Sequence, residues 1–184
     1  MDDILLQSFQ NVHTVVNNSI KLLKDADALL SEKGYIPIIG NGLATETSKS
    51  ILQTSDNYGT LIPQYIARPY ALKKQLESNI VDHLLMINIQ FTHPQHQQLI
   101  PVIAFGQLLF ELPQKEIRNV FKPWYMKNAI FETGLKIDVS SNEKIYTCTP
   151  FADCNDKFTF SIKPLTSIQT NNDIFDIVVE MWKL

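Results

Sequence analysis

From Asp2 to Lys33 the chain runs without a proline or glycine, and its apolar residues recur in steps of four and three. Leu5, Phe9, Val12 and Val16 lead to Leu23, Ala26 and Leu30, with Ser19 interrupting the series. Steps of that size bring side chains to one face of a 3.6-residue turn, so the spacing predicts a long amphipathic helix over residues 1–33. Gly34 stands where a left-handed C-cap would end it. Ile4, Val15, Ile20, Leu22 and Leu29 widen the stripe beyond a strict coiled-coil seam. The helix is therefore expected to lie across a sheet, and pairing with a second copy is the other use such a stripe can have.

Behind this helix the pattern changes to short runs broken by turn residues. Residues 35–39 read as a strand and Gly40-Asn41-Gly42 as a tight turn. Residues 43–60 are rich in Ser, Thr, Asn and Gly and carry no long period. Residues 65–72 read as a short strand that Pro69 would confine to a sheet edge. From His83 the alternation is clear: Leu85, Ile87, Ile89 and Phe91 share one face, and Leu84, Met86, Asn88 and Gln90 form a mixed one. Residues 100–112 are apolar on both faces, as expected of a covered central strand, and the two runs are expected to form a long antiparallel hairpin around the polar loop 92–98. Residues 113–131 read as a short helix and an irregular aromatic segment, and 135–139, 144–149 and 158–163 as strands, the last with Phe158, Phe160 and Ile162 inward. A closing helix over 171–184 has Asn171 or Asn172 as its cap and Ile174, Ile177, Val178 and Met181 as its buried stripe. The expected fold class is α+β: one domain over 1–184, with a mainly antiparallel sheet over 35–163 flanked by a long N-terminal and a C-terminal helix.

Composition narrows the function classes. Hydrophobic residues make up 45% of the 184 positions and charged residues 19%. A chain of this size buries roughly 70% of its unfolded surface, so it needs no disulfide or metal to hold a core. The formal charge of −3, spread without a basic or acidic tail, lacks the strongly basic signature of many nucleic-acid binders. The start, Met1-Asp2-Asp3, is acidic where a signal peptide is basic. The most apolar run, residues 99–112, is broken by Pro101, Gly106 and Gln107 and is shorter than the ~20 residues that span a bilayer. With only Cys148 and Cys154, a reduced, cytoplasmic setting without membrane contact is the expectation.

Candidate chemistry is sparse. Gly40-Asn41-Gly42 lacks both the third glycine of a dinucleotide fingerprint and the Gly-Lys-Ser/Thr of a phosphate loop. His93-Pro94-Gln95-His96 places two imidazoles in the hairpin loop and His83 opens the strand before it, a possible metal or acid–base set of His83, His93 and His96 against the commoner reading of a solvated loop. Cys148 and Cys154 lack the spacing of a zinc knuckle or redox pair, although a hairpin there would bring the thiols near each other. No local serine, zinc or cysteine hydrolase motif is present, which lowers the expectation of an enzyme without closing it. Between Lys115 and Lys127, the basic Arg118 and Lys122 alternate with Phe121, Trp124 and Tyr125, and Arg68, Tyr70, Lys73 and Lys74 could extend the patch. Arg118, Lys122, Trp124 and Tyr125 are therefore the candidate binding residues, suited to a protein partner more than to nucleic acid in an acidic chain.

Three functional expectations follow. The first is a non-catalytic regulatory or protein-interaction domain, a possible homodimer through its first helix or a sheet edge. The second is a small-molecule sensor with a pocket lined by Phe105, Phe110, Trp124 and Trp182. The third is a metal-dependent hydrolase built on the three histidines. No cofactor is implied.

Overall fold

The computed structural model describes residues 2–45, 63–93, 98–121, 130, 137–138, 144–150 and 154–184. The opening helix α1 spans Asp2–Ser31 and ends before Gly34, whose φ of 81° is the left-handed conformation expected of its cap. Strands β1 (Tyr35–Pro37), β2 (Ala44–Thr45) and β3 (Tyr65–Leu72) follow, then a short helix α2 (Lys73–Ser78) and the long strands β4 (Val81–Gln90) and β5 (Val102–Gln114). After a single-turn helix α3 (Ile117–Val120) come β6 (Ile145–Cys148) and β7 (Lys157–Pro164), and α4 (Asn171–Met181) closes the chain. The fold is α+β, as its alternating and helical periods predict.

The seven strands form one sheet in the order β1-β3-β4-β5-β7-β6, every pairing antiparallel, with β2 beside β1 on the same edge of β3. The expected hairpin is β4–β5, with Ile87 opposite Phe105 and Ile89 opposite Ile103. Gly106 sits opposite Phe160 in the β5–β7 ladder. A Cβ there would lie 2.1 Å from the Thr159 carbonyl oxygen and 2.6 Å from Phe160 Cα, so a side chain at this position would push the two strands apart.

Both faces of the sheet are buried. Ile66, Tyr70, Leu85, Ile87, Ile89, Ile103 and Phe105 meet α1 and α4 on one face. Ala67, Leu84, Met86, Ala104, Phe158, Phe160 and Ile162 make the other, with Ile117, Phe121 and Ile130 against them. The mixed face of β4 is thus not a solvent face. Asn88 and Gln90 are fully buried on it and bond to each other, Asn88 Nδ2 donating to Gln90 Oε1 at 3.1 Å and Gln90 Nε2 to the Thr92 carbonyl at 2.7 Å. Such bonds are what make a polar residue tolerable in a core.

Two further expectations change. Pro69 does not mark an edge, because β3 is flanked on both sides. In an antiparallel ladder a residue's N and C=O point to the same neighbour, and the Pro69 carbonyl accepts from Ile38 N at 3.0 Å. Its missing N–H therefore faces the break between β1 and β2 and costs the ladder with β4 nothing. The cap of α4 is Thr170 in place of Asn171 or Asn172: its hydroxyl receives the Asp173 N–H while the Asp173 carboxylate receives the Thr170 N–H, a reciprocal capping box. Ile174, Ile177, Val178 and Met181 are buried as expected. Ile137 and Asp138 are not in a strand, and the rest of the expected strand over 135–139 lies outside the described residues.

Candidate functional site

The feature of the surface that most departs from an ordinary one is the first half of α1. Its second half is fastened to the sheet. Leu23, Ala26 and Leu30 are at most 2% exposed, and Ser19 is buried with its hydroxyl donating back to the Val15 carbonyl at 2.8 Å. Arg68 reaches from β3 to clasp the Asp27 carboxylate of α1 through both Nε and Nη2, while its Nη1 donates to the Gly42 carbonyl at 2.6 Å. A forked guanidinium on a carboxylate is the strong form of such a contact, and here it ties helix, sheet and the Gly40–Gly42 turn together. Burial pushes the neighbouring Tyr70 phenol well above its usual range, with the Asp27 charge adding to the shift. Arg68 and Tyr70 are therefore buried fasteners of α1 and do not extend a cationic patch.

N-terminal to Ser19 the same stripe continues exposed, with none of the described residues over it. Ile4 is 74% exposed, Leu5 60%, Phe9 59% and Val12 46%, and Leu6 and Val15 are also exposed. The expectation that α1 lies across the sheet thus holds only from Ser19 onward. Single exposed apolar residues are ordinary on a protein surface, but six large ones along the first half of one helix are not. The opposite face carries Gln7, Gln10, Asn11, Thr14, Asn17 and Asn18, and between Ile4 and Ile20 there is no Lys, Arg, Asp or Glu. Where this half meets the fold, a groove of about 480 Å³ opens between α1, the 3-10 turn Leu165–Ser167 and the start of α4. Val15, Leu22, Leu165, Ile168 and Ile174 give it apolar lining, and Asn18, Lys21 and Asp25 line it from α1 as well.

The structure places the other candidates apart from this surface. His83 hydrogen-bonds Tyr35 through Nε2 at 2.9 Å and Asp82 through Nδ1. Burial, and then the Asp82 charge, raise the Tyr35 phenol above its ordinary value. With Tyr35 at Nε2 and Asp82 at Nδ1, both ring nitrogens are engaged. Partial burial pushes the Asp82 carboxyl up, but hydrogen bonds from His83 and Gln75 and the charge of His83 outweigh it and hold the group below its ordinary value. This chain of bonds links β1 to β4 across β3. His93 is buried beyond the far end of β4, and the strand between His83 and Gln90 alone is about 23 Å long, so the two imidazoles do not converge. His96 lies outside the described residues. Among the described residues no group of three His, Cys, Asp or Glu is placed to hold a metal ion.

Of the aromatic and basic segment, Arg118 is exposed on α3 and Phe121 is buried against the sheet. Lys122, Trp124 and Tyr125 lie outside the described residues. Phe105 and Phe110 belong to opposite faces of the sheet and Trp182 packs under Lys33 at the end of α4, so these three do not line a common pocket. Cys148 and Cys154 are thiols without a disulfide, and burial pushes the Cys148 thiol up to about 11, away from the thiolate that redox chemistry uses. No helix among the described residues is long and apolar enough to cross a membrane. No protein-family model, curated protein or solved structure matches the chain.

The sequence reading weighs the first helix as a contact, but where along it the stripe is left open is not legible, for a definite reason. The stripe is the same before and after Ser19, and periodicity reports which residues share a face without reporting what covers it. The change in the polar face was legible: Lys21, Lys24, Asp25 and Asp27 follow a run without charge.

Proposed function

We propose that the protein works by protein contact, without catalysis, and that the projecting half of α1 is its contact element. The observation that carries this reading is the exposure of Ile4, Leu5, Leu6, Phe9, Val12 and Val15 along the first half of α1. A second argument comes from helix energetics. Isolated helices shorter than ~12–15 residues are marginal even when rich in alanine, and residues 2–18 hold three Val and three Asn, with one Thr and one Ser, all weaker helix formers. It has no pair of opposite charges at four-residue spacing to support it, only the Gln7 to Asn11 bond at 2.9 Å and the Ser8 and Thr14 hydroxyls bonded to preceding carbonyls. Packing against a partner supplies what intrinsic propensity does not.

A photo-crosslinking residue in place of Phe9 tests the reading, with the same residue in place of Asn17 on the polar face as the control. In cell extract, position 9 is expected to give discrete protein adducts that position 17 does not. Equal labelling from both faces, or none from either, overturns the proposal.

A further inference from the structure

We infer that Asn41-Gly42 is a self-modification site, at which the Asn41 side-chain amide is lost to the neighbouring backbone and the product weakens the clasp that holds α1 to the sheet. The inference goes beyond the protein-contact reading and does not depend on it.

The chemistry follows from the residue pair. The Gly42 backbone nitrogen can attack Asn41 Cγ to close a five-membered imide ring. In that step the N–Cγ bond forms, the Gly42 nitrogen gives up its proton, the Cγ–Nδ2 bond breaks and ammonia leaves. Water then opens the ring at either carbonyl and leaves aspartate or its β-linked isomer, so the sequence of steps consumes water alone. This lability is one reason asparagine is a thermolabile residue. A side chain on the following residue obstructs ring closure and glycine has none. Asn41-Gly42 is the one Asn-Gly pair in the 184 residues.

The structure leaves this pair open to the reaction. Asn41 and Gly42 are both exposed and lie between β1 and β2. Gly40, at a φ of 60°, takes the left-handed place of the turn. What restrains the nucleophile is the turn bond itself: the Gly42 N–H donates to the Ile39 carbonyl at 3.1 Å and must be released before attack. Other asparagines are held back more firmly. Asn79 and Asn88 are each followed by isoleucine, and Asn17 and Asn18 lie inside α1, where the helix occupies the N–H groups that would attack.

The position matters because of what the turn holds. The Gly42 carbonyl accepts from Arg68 Nη1 at 2.6 Å, and the same guanidinium clasps Asp27 of α1 through Nε and Nη2. The β-linked product inserts one more carbon into the main chain immediately before Gly42, which moves that carbonyl off its donor. Either product also sets a new carboxylate one residue away, where it competes with Asp27 for Arg68.

The test uses the full chain, aged at body temperature and mildly alkaline pH, where the Gly42 nitrogen loses its proton more readily. The peptide holding Asn41 is expected to gain one mass unit and to accept a labelled methyl group from an isoaspartate methyltransferase, at least an order of magnitude faster than the peptides holding Asn17, Asn18 or Asn79. Asn41→Gln, which would have to close a six-membered ring, should stay unmodified there. Modification spread evenly over the asparagines, or missing from Asn41, overturns the site. The aged wild type, separated from fresh protein by anion exchange, is expected to unfold at lower urea, and its β-linked fraction to lie below Asn41→Asp, which adds the charge without lengthening the chain. A modified fraction with the midpoint of fresh protein overturns the link to the clasp.

Discussion

The two halves of α1 obey one sequence rule and live in two environments. From Ser19 to Leu30 the stripe meets the sheet and α4, and Leu23, Ala26 and Leu30 are closed off from water. From Ile4 to Val15 a stripe of the same phase and similar composition stands open. The difference lies outside the stripe. The buried half has Asp27 fastened by Arg68 and charged residues on its outer face, as a helix fixed to a domain does. The open half carries mainly amides and hydroxyls, with His13, on its outer side, and among the described residues it has no ionic tether. Helical periodicity therefore identifies a face, and the charge pattern beside it separates the part committed to the fold from the part left exposed.

The largest effects should come from the buried half. Leu30→Ala and Leu23→Ala are each expected to cost about 3 kcal/mol in urea denaturation, the usual loss for a leucine truncated in a packed core. Leu5→Ala, at the same helical phase, should leave the midpoint of the dilute protein where it was. A loss of comparable size at Leu5 would erase the distinction between the halves. Next comes Asp27→Ala, which strands the buried Arg68 guanidinium. Removing one partner of a buried pair costs about 3 kcal/mol or more, and because the Asp27 side chain is 26% exposed, about 2 kcal/mol is expected here. A fully stable Asp27→Ala protein would mean that packing alone holds α1 down.

Much of this architecture is legible in the sequence. The helix over Asp2–Ser31, the β4–β5 hairpin, the inward Phe158, Phe160 and Ile162, and the buried stripe of α4 all follow from the two periods. What escapes is whatever depends on a residue distant in sequence. Pro69 looks like an edge signal until Ile38 is known to bond its carbonyl, and Asn88 and Gln90 make a face of β4 look mixed until the second layer beneath the sheet is in place. His83 resembles a ligand until Tyr35 takes one ring nitrogen. Of the candidate binding residues, the structure puts Arg118 on the surface, and the contact surface favoured here was weighed in the sequence only as a second use of the first helix. Nothing local to α1 tells whether a neighbour covers it.

Smaller effects belong to α4, the helix that is both capped and buried along its stripe and so serves as the reference for the comparison. Thr170→Ala is expected to cost about 1 kcal/mol, because it removes the hydroxyl that receives the Asp173 N–H. The same midpoint should follow in the order Leu30→Ala, Asp27→Ala, Thr170→Ala, with the exposed-half variants last.

The smallest effect is one of pH. The N–H groups of Gln169 and Thr170, and then the Thr170 hydroxyl, hold the Asp173 carboxyl below its ordinary value. A carboxyl depressed in the folded state binds its proton less readily there than in the unfolded chain, so its contribution is complete above the unfolded value of about 3.9 and fades as pH falls through the lower folded value. Urea midpoints of the wild type and Asp173→Asn should therefore differ at neutral pH and draw together toward pH 2, with the wild type losing more on acidification. A gap that stays constant with pH would mean that the capping box acts through shape and not through charge. Because the projecting half of α1 has no ionisable group between Ile4 and Val12, Phe9→Asp is the useful counterpart: it should alter association at neutral pH and leave this acid-dependent difference in folding stability untouched.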